Sequence, residues 1–109
     1  MNVQLYILQR LSAAIMLPLA LTHFAVIFYA TRSGLSAVEI LGRTRGSFVW
    51  ASFYGLFVAA VTVHVPIGVR TVLMEWTPLR TRLCNLAALA FGLLLAVTGL
   101  RAVAAVVLP

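Results

Sequence analysis

Three stretches of this chain carry no charged side chain: Leu11 to Thr31, Gly46 to Val69 and Leu83 to Leu100. Each is close to the ~20 residues with which a helix crosses a hydrocarbon core. In lipid a backbone polar group has no water to bond, and a helix satisfies its own. The expectation is therefore an all-α integral membrane protein with three transmembrane helices, at about 8–31, 47–75 and 83–107, forming one anchor domain over 1–109. Too little chain remains outside these spans for a nucleotide-binding or catalytic domain, so any enzyme activity has to be completed by other chains. The chain itself reads as non-catalytic.

Composition agrees with this: 63% of the 109 residues are hydrophobic and 9% charged, against about 25% charged in soluble domains. All eight basic residues are arginines and the acids are Glu39 and Glu75, giving a net charge of +6. That balance suggests no nucleic acid, because no soluble surface exists to present it, and it suits arginines meeting lipid head groups. The single cysteine, Cys84, allows neither an internal disulfide nor a thiolate cluster, and covalent haem attachment through Cys-x-x-Cys-His is excluded. The first span is long, holds Pro18 and His23, and has no basic residue before Arg10, so it reads as a retained helix rather than a cleaved signal.

The boundaries follow from local signals. The first span ends near Tyr29 to Arg32, where an aromatic and a cation suit the interface. Ser33 to Ser47 is then a loop with Gly34, Gly42 and Gly46, in which Ser36 caps a short amphipathic turn over Val38 to Leu41. The second helix starts around Phe48 to Trp50 and runs past Arg70 to Glu75 and Trp76, where Thr77-Pro78 ends it. A tight turn with Arg80 and Arg82 leads to the third, interrupted only by Arg101. Four arginines fall towards each side, so charge does not set the orientation.

Both histidines lie inside spans, His23 in the first and His64 in the second. Ionisable groups there are costly and mark function, and neutral imidazole is a good axial ligand for haem iron. The plainer alternative is a histidine hydrogen-bonded to a neighbouring helix. Helical spacing puts Ala60 and Gly68 one turn from His64, leaving room for a flat porphyrin, while Pro66 frees the Thr62 carbonyl. On the face of His23 stand Gln9, Ser12 and Met16; the Gln/Ser pair would suit a quinone or a haem propionate, and Ser12 would equally bond its own backbone. An antiparallel second helix brings Arg70 to the side of Arg10, where cations would pair with propionates or snorkel to phosphate.

These residues carry a resemblance. His64-Val-Pro-Ile-Gly-Val-Arg70, continuing to Leu73-Met74-Glu75-Trp76, resembles the second-helix motif of succinate dehydrogenase and fumarate reductase membrane anchors. Leu8-Gln9-Arg10-Leu11-Ser12-Ala13, leading to Thr22-His23, resembles that family's quinone-side helix start. The resemblance implies that His64 binds haem b, that Arg10, Ser12 and Gln9 line the quinone site, and that Arg10 and Arg70 lie on the propionate side. It further implies an iron–sulfur subunit and an FAD flavoprotein as partners, a second membrane anchor chain, and a bacterial cytoplasmic membrane with a cytoplasmic N-terminus. Gln9 stands where single-haem anchors have a histidine, and Ala13 where a glycine is common. His23 has no counterpart in a single-haem anchor, so the chain looks more like the paired anchors, with two haems each shared with the partner. An internal site clasped by both histidines is the alternative that spacing leaves open. Two other readings stand beside this one: a diheme cytochrome of another respiratory complex, and a haem-free structural protein packing through Ala51, Gly55 and Ala59.

Overall fold

The computed structural model describes residues 2–108, and every regular element among them is helical. Helix α1 spans Val3–Arg32, α2 Ala37–Thr44, α3 Phe48–Trp76 and α4 Thr81–Val107. The three long helices are each long and apolar enough to cross a membrane. The described chain measures 49 Å along its longest axis, which matches a bilayer of about 40–45 Å with its head groups.

Helix α3 is the middle of the bundle, packed by α1 on one side and by α4 on the other, while α1 and α4 make no extensive contact with each other. The α3/α4 seam is close because α4 offers small residues to it. A Cβ on Gly99 would fall 2.7 Å from a methyl of Val58, and one on Gly92 would fall 3.0 Å from Pro66. Cys84 and Ala88, buried on the same stripe of α4, continue the seam. Small residues let backbones approach and gain van der Waals contact, the attraction that lipid leaves available between helices. Gly55, by contrast, has open space where its Cβ would be. The close approach therefore runs through glycines of the last helix, not through Ala51, Gly55 and Ala59.

Pro66 does not break α3. Its ring fills the hollow over Gly92, so the residue that removes one backbone bond also makes the contact with α4. Three threonines inside the spans donate to the preceding turn, Thr22 to the Pro18 carbonyl, Thr71 to Ile67 and Thr98 to Leu94, while the Thr62 hydroxyl is buried without a partner.

The connecting segment is more ordered than a loop. Ser36 and Glu39 form a full capping box, each side chain receiving the other's backbone N–H, and α2 then continues to Thr44. Gly34 and Gly46 turn the chain at φ of +66° and +71°, where a side chain would be strained. Thr44 is 5% exposed and donates to the Val106 carbonyl, while the Gly46 amide donates to Val107 at 2.7 Å. These bonds occupy carbonyls that the end of α4 leaves unpaired. Helix α4 begins at Thr81, so Arg82 lies in its first turn rather than in the connecting turn.

Buried apolar residues are few, namely Ala60, Ile67, Cys84 and Ala88, and large side chains such as Leu17, Phe24, Leu89 and Leu93 stand exposed along the helices. A chain with its apolar surface outward takes lipid or other helices as its solvent.

Candidate functional site

Antiparallel packing of α1 on α3 pairs the N-terminal third of α1 with the C-terminal half of α3. Ser12 stands against His64, with its Oγ 3.3 Å from Nδ1. One turn away, the Gln9 amide nitrogen lies 3.4 Å from where a Cβ on Gly68 would be. Three residues singled out in the sequence, Gln9, Ser12 and His64, thus meet in one seam. Ser12 is 5% exposed and its hydroxyl donates to the Gln9 carbonyl at 3.0 Å. Of the two roles expected of Ser12, the bond to its own helix is present, and the hydroxyl also faces His64.

Gln9 brings an unpaired group to the seam. Its Oε1 is buried without a hydrogen-bond partner, and such a group costs about 1–3 kcal/mol unless something donates to it. The glycine expected to leave space beside His64 also makes space on the α1 side, where it admits the Gln9 amide; Ala60 is buried. Beside this seam, His64, Val65, Gly68, Val69, Val72 and Leu73 line an apolar groove of about 380 Å³ on the flank of α3. The groove is open outward. A half-buried imidazole at the edge of an apolar groove, with one ring nitrogen facing Ser12, is a donor type that haem iron accepts.

The two arginines diverge. Arg70 turns towards α4, where its Nε donates to Asn85 at 2.6 Å. Arg10 is exposed on α1 with its guanidinium over the Tyr6 ring, 5.6 Å from the centroid. They share a membrane end, because Gln9 faces Gly68, but they flank α3 rather than converge. Asn85, which anchors Arg70, was missed by the sequence reading; an asparagine in the apolar start of α4 is its only sequence signal.

His23 belongs to a different level. Its ring meets Tyr54 and Phe57 edge-on, with centroids 5.6 and 5.7 Å away, and its Nδ1 is buried without a partner. Trp50 and Phe53 extend the aromatic group on α3. His23, Tyr54, Phe57, Gly99 and Val103 are among the residues lining a separate hollow of about 260 Å³. Eleven residues separate Ser12, which faces His64, from His23, so the two imidazoles stand at levels about 16 Å apart along α1. Sequence spacing left a common iron open; helix register sets the histidines too far apart to share one.

Against known proteins, the profile of one family, described as succinate dehydrogenase/fumarate reductase transmembrane subunit, matches residues 1–100. No curated protein and no solved structure is significantly similar to the chain.

Proposed function

The chain belongs to the succinate dehydrogenase/fumarate reductase transmembrane-subunit family, and within that family we propose that it is a haem b-binding anchor that helps form the quinone site and passes electrons between an iron–sulfur subunit and membrane quinone. The observation that carries this reading is the seam of Gln9, Ser12 and His64 beside an apolar groove. His64 is the axial ligand; haem bound there supplies one-electron storage close to the quinone. The groove opens away from both α1 and α4, so a haem held by His64 would be completed by a partner anchor chain.

Each remaining residue has a task at this end of the bundle. Gln9 and Arg10 lie within a turn of each other near the start of α1. Arg10 hydrogen-bonds a quinone carbonyl, and its guanidinium is free to swing because an aromatic face holds it and not a carboxylate. Arg70, held by Asn85 on the α4 side of α3, supplies positive charge at this end of the bundle without facing the groove. Ser12 contributes at the boundary of haem and quinone. The N-terminal end of α1 then faces the soluble iron–sulfur and FAD subunits, on the cytoplasmic side of a bacterial inner membrane. At the other level, His23 ligates a second haem shared with the partner, its unpaired Nδ1 and the 16 Å separation favouring two sites over one.

The test is isolation of the tagged chain from its native membrane. The expected result is co-purification with a flavin-containing and an iron–sulfur subunit, together with a reduced-minus-oxidised spectrum of b-type haem that His64→Ala diminishes. A colourless complex, or haem content unchanged in His64→Ala, contradicts the assignment.

A further inference from the structure

We propose that Ser12 is a positioning residue for His64: its hydroxyl accepts the Nδ1 proton and thereby leaves Nε2 bare for the metal, an inference that rests on the haem-ligand role proposed above.

The argument is a count of protons. A serine hydroxyl has one hydrogen to give and two lone pairs to receive with. In the proposed arrangement that hydrogen goes to the Gln9 carbonyl, 3.0 Å away on the same helix. Towards His64 Nδ1, at 3.3 Å, the same oxygen has only lone pairs to offer. Two acceptors do not bond, so the contact holds when Nδ1 carries the proton. Iron ligation takes a neutral imidazole. A neutral imidazole with Nδ1 protonated has its free lone pair on Nε2, the nitrogen at the far edge of the ring from α1. Ser12 therefore fixes both the tautomer and the ring direction from across the helix seam. At 5% exposure its hydroxyl is screened from solvent that would otherwise compete for either bond.

The chain Gln9 carbonyl, Ser12 hydroxyl, His64 ring also explains why a small hydroxyl residue suits this position. The contact lies next to the place where Gly68 admits Gln9, so the helices are close enough for a one-carbon side chain to reach across. An alanine keeps the packing and loses the acceptor. The partner on a ligating histidine's second nitrogen raises the basicity of the first, and losing such partners costs about 10–100-fold in metal affinity. A less basic imidazole stabilises ferric iron less, so the midpoint potential rises.

The experiment compares the assembled complex carrying Ser12→Ala, Ser12→Thr or His64→Ala with the parent, reading haem retention during competition with apomyoglobin, midpoint potential and the low-spin electron paramagnetic resonance signal. Ser12→Ala should release haem about 10–100-fold more readily, with a raised potential and an altered signal. Ser12→Thr, which keeps the hydroxyl, should return all three towards the parent. If His64→Ala loses its haem component while Ser12→Ala matches the parent in every readout, the positioning role is overturned and the ligand assignment stands. If His64→Ala keeps the parent's full haem and spectrum, the ligand assignment itself fails.

Discussion

A polar side chain inside an apolar span is informative through what it is bonded to. Ser12 and His64 bond each other, Arg70 bonds Asn85, and Gln9 Oε1 and His23 Nδ1 have no partner. Arg10 differs from all of these in lying exposed over Tyr6. Removing it should therefore spare assembly and affect what binds near the start of α1. Arg10→Leu is expected to lower quinone reduction at least tenfold while electron transfer to a soluble artificial acceptor stays within twofold, because one charge-assisted hydrogen bond is worth about 1.5–3 kcal/mol. Parallel assays of the two activities check this, and equal loss of both removes Arg10 from the quinone site. At this scale the sequence showed which residues carry chemistry, since histidines, a glutamine and a serine stand out in an apolar helix. It could not show their pairing: His64 with Ser12, and Gln9 with Gly68, depend on an interhelical register that no single helix encodes.

Helices, unlike pairings, were largely legible: α3 and α4 begin and end within two residues of expectation, while α1 begins at Val3 and not near residue 8, because Asn2 caps it. The uncharged stretches, the Thr77-Pro78 break and the Ser36 cap gave three spans and a short capped turn between the first two. The exceptions have physical causes. The full capping box and the bonds from Thr44 and Gly46 to the end of α4 lengthen α2 beyond the turn expected, and those partners are more than sixty residues away in sequence. The small-residue face of Ala51, Gly55 and Ala59, which belonged to the haem-free reading, has suitable spacing, but Gly55 has open space, whereas Gly68, Gly92 and Gly99 have side chains of a neighbouring helix against them. Gly99→Ala should consequently force the stiff Val58 side chain to move and destabilise the α3/α4 seam by about 1–3 kcal/mol. Val58→Ala in the same chain should recover most of that loss. A thermal unfolding comparison of the two single variants and the double variant measures the coupling; simple additivity would show that the two residues do not press on each other.

For the whole molecule, placing α3 between two flanking helices leaves one flank of it open, and the two histidines lie at different levels. This arrangement suits one half of a two-part anchor, with one haem near the Gln9 end and another near the aromatic group of Trp50, Phe53, Tyr54 and Phe57. Its central claim is that His64 and His23 serve separate irons. The direct measurement is a potentiometric haem titration of the purified complex beside its His64→Ala and His23→Ala variants. Two redox components are expected in the parent, with one missing from His64→Ala and the other missing from His23→Ala. Loss of the same component in both variants, or a complete set of components in His64→Ala, would contradict the account.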